Sequence, residues 1–223
     1  MKTWIKICGT TSVRDALASV EAGADALGLI FAPSKRRITM EKAREIIRAL
    51  PSEVERIGVF LNESVDEVLR TVMELDLTGI QLHGDELPFE LCSYLPKARR
   101  EELRIIKTIL VQEGFEVRLQ AGMQAAAEVV DAWLLDSGTG SGRTFDWQGA
   151  RKQLGAQQGQ VIIAGGLTPD NVVQAIHTFL PWGVDVVSGV EYEPGHKDWN
   201  KLKAFVQAVR EAEKQTWQAR QQK

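Results

Sequence analysis

The sequence predicts an α/β fold of one kind, a single-domain (β/α)8 barrel of the TIM type spanning residues 1–223. Three observations point there. Short β-branched runs alternate with amphipathic stretches from end to end at roughly 25–28 residues per unit, so that eight units account for the 223 residues, near the roughly 250 typical of such a barrel. The runs are nearly continuously apolar, as befits parallel strands buried on both faces. The segments after them are polar and glycine-rich, the contrast expected where a site is built on a packed core. A doubly wound sheet is the structural alternative, but it usually has about five or six strands and an early glycine fingerprint. No G-x-G-x-x-G follows the first strand here.

The elements can be justified in order. Trp4–Cys8 is the first strand, followed by the turn Gly9-Thr10-Thr11, with Ser12 and Asp15 as a helix-start signature. Ala26–Phe31 is the second strand, and Ala43, Ile46, Ile47 and Leu50 mark one face of the next helix. Arg56–Leu61 is the third strand. Ser64 and Glu67 form a capping box ahead of the apolar face Val65, Val68, Leu69, Val72 and Met73. Gly79–Leu82 and Arg104–Leu110 are strands four and five, with a helix through Pro88–Leu95 between them. An Ala-rich helical region near Met123–Val130 precedes strand six, Ala132–Asp136. Val161–Ala164 is strand seven, with Thr168 as N-cap and Pro169 at the first helical position. Val184–Ser188 is strand eight, and a last helix starts near Asn200. The polar, Gln-rich tail, about residues 214–223, reads as a frayed helix end.

Composition narrows the function. Lys and Arg number 27 against 30 Asp and Glu, a net charge of −3, which argues against a nucleic-acid or membrane-surface partner. Hydrophobic residues make up 44% and charged residues 26%, ordinary for a globular chain. The apolar stretch Ala26–Ala32 is far short of the roughly 20 residues that span a bilayer. Cys8 and Cys92 lie in no metal-ligand spacing, and the opening Met1–Cys8 carries Lys2 and Lys6 but no signal-peptide core. A reduced, cytoplasmic protein is expected, as a monomer or weak homodimer, and with no metal.

In such barrels the active site lies at the C-terminal ends of the strands. That rule selects Cys8, Arg36, His83, Lys107, Asp136, Gly165-Gly166 and Ser188-Gly189. The two glycine-bearing loops follow strands seven and eight, where barrels commonly bind phosphate; the plainer account is that they are tight turns. Asp136 is either a cap or a general acid. The Gly/Ser-rich segment after it, Ser137 to Phe145, resembles a lid whose closure would strip water from the carboxyl and raise its pKa. An isolated Cys8 is ordinarily a small buried hydrophobe. Its place at a strand end suits a base, provided that Lys6, Lys107 or a helix dipole assists the thiolate. Arg36 is either part of a solvated basic turn or a carboxylate clamp. His83 is an acid/base or a hydrogen-bonded loop residue. Cys92 lies in a helix and reads as core.

At these residues the sequence resembles phosphoribosylanthranilate isomerase, an enzyme family of tryptophan biosynthesis. The matching motifs are Lys6-Ile7-Cys8-Gly9-Thr10-Thr11, Gly23-Ala24-Asp25-Ala26-Leu27-Gly28 and Ser34-Lys35-Arg36-Arg37-Ile38. Further on come Gly58-Val59-Phe60, Gln81-Leu82-His83-Gly84-Asp85-Glu86, Leu135-Asp136 and Gly140 to Trp147, then Ala164-Gly165-Gly166-Leu167 and Ser188-Gly189-Val190-Glu191. The resemblance implies an Amadori rearrangement of a phosphoribosyl aminoaldose, without cofactor or metal. It implies Asp136 as general acid, Cys8 as general base, Arg36 as ligand of the anthranilate carboxylate, and Gly165, Gly166, Ser188 and Gly189 as the phosphate cradle. His83 and Lys107 are counted with the substrate-binding groups. The histidine-pathway isomerase is a rival, but it has Asp where Cys8 stands and needs a second phosphate cradle. Leu61-Asn62-Glu63 and His83-Gly84-Asp85 do not offer one. A non-catalytic phosphosugar-binding barrel is the rival from another class, and the intact Cys8 and Asp136 speak against it.

Overall fold

A computed structural model of the protein describes residues 2–138, 144–154 and 160–221. Eight parallel strands form a closed barrel in chain order. They are β1 (Trp4–Cys8), β2 (Ala26–Ile30), β3 (Glu55–Phe60), β4 (Gly79–Leu82), β5 (Arg104–Leu110), β6 (Ala132–Asp136), β7 (Val161–Ile163) and β8 (Gly183–Val186). The ring closes by pairing β1 with β8, with Lys6 opposite Asp185. All eight strands lie where the sequence places them, with ends differing by a residue or two.

The apolar residues divide into two bodies, as alternation along a strand requires. Trp4, Ala26, Ile57, Ile106, Ala132, Leu134, Ile162 and Ala164 fill the lumen. Their neighbours, such as Ile5, Leu27, Ile80, Ile105, Leu135 and Val184, face outward and pack under the helices. These are α1 (Val13–Ala22), α2 (Met40–Ala49), α3 (Val65–Leu75), α4 (Pro88–Tyr94), α5 (Lys97–Glu102), α6 (Phe115–Ala126), α7 (Trp147–Leu154), α8 (Val172–Phe179) and α9 (Trp199–Gln221). The buried stripe Leu202, Phe205, Val206, Val209 and Ala212 lets α9 complete the ring between α8 and α1.

Several helix boundaries differ from expectation, for local reasons. Ser12 caps α1 by accepting from the Asp15 N–H. The Asp15 carboxylate, however, accepts from Trp199 Nε1 and the Lys197 N–H. The box at Ser64 is half made: Ser64 Oγ accepts from the Glu67 N–H at 3.3 Å, while the Ser64 N–H donates to Glu63. Glu67 instead pairs with Arg70. Thr168 and Pro169 do not start a helix; α8 begins at Val172. Asn171 Oδ1 accepts from the Thr168 N–H and Asn171 Nδ2 donates to Gly166 O, which uses this segment to brace the loop after β7. The Ala-rich helix starts at Phe115, earlier than expected, and the short helix α5 has no apolar face to betray it. The tail expected to fray continues α9 as far as Gln221, while residues 222–223 lie outside the described residues. A small hairpin, β9 (Glu191–Glu193) with β10 (His196–Lys197), follows β8 and has no sequence signature of its own.

The two barrel ends are built differently. At the N-terminal end Trp4 stacks on Trp182 at 5.0 Å, and the Arg104 guanidinium lies over both rings. Glu55 accepts from Arg104 at 2.7 and 3.1 Å and from Trp4 Nε1. This plugged floor is a stability feature. Halfway up, the lumen turns polar. Lys6 is fully buried, and its Nζ donates to Asp185 Oδ1 at 2.9 Å and Gln81 Oε1 at 2.8 Å. Removing one partner of such a pair strands the other charge. Lys6→Met is therefore expected to cost about 3–5 kcal/mol in urea unfolding, and Lys6→Met/Asp185→Leu to recover most of it. A double variant as unstable as the single would refute that origin.

Candidate active site

The mouth of the barrel holds a cavity of about 290 Å³ at the C-terminal strand ends. Arg36, His83, Asp136, Gly165, Gly166 and Ser188 all line it. Apolar side chains line it as well, among them Ile30, Pro33, Val59 and Leu61. Six of the nine positions singled out in the sequence thus converge. The other three lie around the cavity rather than in it.

Cys8 is one of these, 3% exposed at the end of β1. Gly28 opposite leaves the space the thiol occupies, since a Cβ there would sit 2.5 Å from Cys8 Sγ. Burial pushes the thiol pKa up, and neighbouring Lys6 and Lys197 only partly offset it. The assistance expected from Lys6 is present but loses to desolvation, and Lys107 plays no part. Lys107 bonds the carbonyl of Gly84 and lies 3.7 Å from Glu86. It lines a second, larger cavity beside the mouth, and His83 belongs to the wall between the two. Gly189 faces a crevice against Asn200 and Lys201.

The glycines after β7 and β8 do more than turn the chain. Gly165 and Gly166 have φ of 77° and 68°, a left-handed conformation that L side chains resist. A Cβ on Gly165 would lie 2.6 Å from the Ser137 backbone nitrogen and 3.0 Å from Asp136 Oδ1. A Cβ on Gly189 would fall 1.9 Å from Leu167 O, so the two loops touch only because Gly189 has no side chain.

Asp136 ends β6 with Oδ1 accepting from the Gly138 N–H at 2.9 Å and Ser137 Oγ at 3.4 Å. Of the segment Ser137 to Phe145 expected to form a lid, residues 139–143 lie outside the described residues. Arg36 turns inward between exposed Lys35 and Arg37, so it is no solvated turn. Its Nε reaches both Glu191 oxygens at 2.9 and 3.0 Å, and Nη2 reaches Oε2 at 2.6 Å. The orientation of His83 follows from Lys6. A lysine only donates, so Gln81 must present Oε1 to it. The Gln81 amide Nε2 then faces His83 Nδ1 at 3.3 Å and Thr108 Oγ1 at 3.2 Å. Nδ1 is thereby the acceptor, and the ring proton sits on Nε2.

Sequence reasoning did not single out Gln81, Thr108, Asp185 or Lys197. The one available signal was a polar residue recurring on the lumen face of an otherwise apolar strand, and Lys6 two places before Cys8 carries it. Among the described residues no group of three or more His, Cys, Asp or Glu converges as a metal site, and no helix is long and apolar enough to cross a membrane.

Fold and mouth together define a (β/α)8-barrel enzyme whose ionisable and glycine-rich groups meet at the strand C-termini. The profile of the N-(5'-phosphoribosyl)anthranilate isomerase family matches residues 5–208. The isomerase of Pelobacter propionicus is 39% identical over 208 residues, covering 93% of this chain and 95% of that one. The Citrifermentans bemidjiense isomerase is 42% identical over 205 residues, covering 92% and 95%. A solved phosphoribosylanthranilate isomerase in complex with reduced 1-(o-carboxyphenylamino)-1-deoxyribulose 5-phosphate superposes with a TM-score of 0.77 at 38% identity, covering 94% of this chain and 99% of that one. The chain belongs to the N-(5'-phosphoribosyl)anthranilate isomerase family.

Two outcomes are expected from this geometry. Because the Cys8 thiol pKa is raised, the difference in ultraviolet thiolate absorbance between wild type and Cys8→Ser should develop only at higher pH than for a free thiol. A signal already complete at neutral pH would contradict this. Gly189→Ala must push the loops after β7 and β8 apart against backbone, so inorganic phosphate should bind more weakly by calorimetry and the thermal midpoint should fall; unchanged phosphate binding would show that the loop contact does not shape the site.

Proposed function

We propose that this chain converts N-(5-phosphoribosyl)anthranilate to 1-(2-carboxyphenylamino)-1-deoxyribulose 5-phosphate, with Asp136 as general acid and Cys8 as general base. The observation that carries this reading is the 290 Å³ cavity lined by Arg36, Asp136 and the two glycine loops, which also takes in Ile30 of β2 and Asp185 of β8, the two strands that pair with β1. Its parts suit the substrate's parts. The apolar lining fits a benzene ring, Arg36 its carboxylate, and the backbone at Gly165, Gly166, Ser188 and Gly189 the phosphate.

The chemistry then runs in two proton transfers. Asp136 gives its proton to the furanose ring oxygen, the bond from that oxygen to C1′ breaks, and C1′ becomes a cationic imine with the anthranilate nitrogen. Cys8 as thiolate takes the proton from C2′, leaving an enolamine that tautomerises to the C2′ ketone. Both the raised thiol pKa and the imine cation matter here. A thiol that holds its proton tightly is a stronger base once ionised, and the cation formed above it favours the thiolate and acidifies the C2′ proton. On the same reading His83 offers its Nε2–H to the substrate, and Lys107 acts from the adjoining cavity on the bound ligand's field.

The reading extends to a cytoplasmic enzyme of one domain over residues 1–223, working as a monomer or weak homodimer. Two free cysteines support a reduced setting. A phosphoribosylanthranilate isomerase from Thermotoga maritima, 38% identical, is described as dimeric, which keeps the dimer in view.

The test is turnover of freshly prepared substrate, followed by loss of anthranilate-type fluorescence. Cys8→Ser and Asp136→Asn are each expected to lower kcat by about 10²–10⁴-fold with the fold intact by circular dichroism. Near-normal kcat in either would remove that residue from its role. Arg36→Met should chiefly raise KM; unchanged kinetic constants would refute the clamp.

A further inference from the structure

We propose that Glu191 is the positioning residue of the carboxylate clamp: it occupies one edge of the Arg36 guanidinium and so presents the other edge to the ligand. The inference rests on the reading of Arg36 as the carboxylate ligand and specifies how that arginine is aimed. A guanidinium has two edges that match a carboxylate, Nε with one terminal nitrogen, and the two terminal nitrogens together. Glu191 takes the first through Nε and Nη2. Among the described residues Nη1 makes no hydrogen bond, and Arg36 lines the cavity. An arylcarboxylate is therefore gripped end-on by Nη1 and Nη2.

Glu191 can act as a fixed brace because it is itself held on several sides. Its side chain is 3% exposed, and Oε1 accepts from Lys197 Nζ at 3.0 Å and the Gly195 N–H at 3.2 Å. The hairpin carrying it is anchored to α1, where Asp15 accepts from the Lys197 N–H and Trp199 Nε1, and Thr11 Oγ1 donates to Gly195 O. The Lys197 ammonium also donates to Cys8 O at 2.6 Å and lies 3.5 Å from Val187 O. One buried amine thus ties the strand end bearing the thiol to the brace behind the arginine, which fixes the clamp relative to the base. The charges also fit. Within this cluster two cations, Arg36 and Lys197, flank one anion, Glu191, so the local balance is one positive charge, the sign that a ligand carboxylate requires.

The test is calorimetric binding of two ligands, the reduced product analogue and its counterpart lacking the ring carboxylate. Glu191→Gln keeps the shape but loses the charge that aligns Arg36. It is expected to weaken the carboxylated ligand about tenfold and to change the other less than about twofold. In an Arg36→Met background the effect of Glu191→Gln should vanish. Equal weakening of both ligands would make Glu191 a packing residue and overturn the proposal. If Arg36→Met distinguishes the ligands but Glu191→Gln does not, the clamp stands and the proposal alone falls. If Arg36→Met does not distinguish them, the clamp reading falls and takes the proposal with it. Should Glu191→Gln fail to fold, Glu191→Gln/Lys197→Met removes both buried charges and is read in the same way.

Discussion

The ion pair between Lys6 and Asp185 sits on the seam where the barrel closes, each residue the register partner of the other on β1 and β8. A slip of one residue along that seam would turn Lys6 out of the lumen and bury Ile5 or Ile7 in its place. The closing register is thus specified by charge as well as by apolar alternation. Burial works against the charge on Lys6, but Asp185 outweighs it and leaves the amine's pKa raised. Such a pair adds little net stability compared with apolar residues of the same size. What it supplies is a fixed polar layer halfway up an otherwise apolar lumen.

That layer divides the barrel by task. Below it, the stacked Trp4 and Trp182 with Arg104 and Glu55 seal the floor. Above it, the lumen opens into the mouth, where Asp136, Gly165 and Ser188 line the cavity. Lys6 sets the Gln81 amide, the amide sets the His83 tautomer, and the same ammonium stands near Cys8. A second buried amine, Lys197, does the corresponding work on the other side, joining Cys8, Val187 and Glu191. The mouth is therefore held by two lysines that face no solvent, one from inside the barrel and one from the hairpin beyond β8.

The pKa directions follow from this arrangement. Burial alone would raise the Glu191 carboxyl, but Arg36 and Lys197 outweigh it and hold the group below its usual range. Burial dominates at Cys8 and lowers the pKa of Lys197. The free site therefore keeps its charge on the brace and its proton on the thiol. A ligand that brings positive charge over Cys8 shifts that balance toward the thiolate.

The sequence by itself determined the fold and much of the mouth. Eight apolar runs at barrel spacing can only be buried on both faces, and the rule that function gathers at strand C-termini then selects Arg36, His83, Asp136 and the glycines. It also determined the family, through motifs spread along the whole chain. Tertiary structure alone decided what those residues touch. That Arg36 is braced by Glu191, 155 positions away, is a contact no local pattern encodes. That Lys107 turns to a neighbouring cavity while Lys6 approaches the thiol depends on which way each strand faces once the barrel has closed. Thr168 and Pro169 have the chemistry of a helix start, yet Asn171 recruits that segment to brace a loop. Local chemistry sets what each segment can form, and closure of the ring sets which charges are buried together.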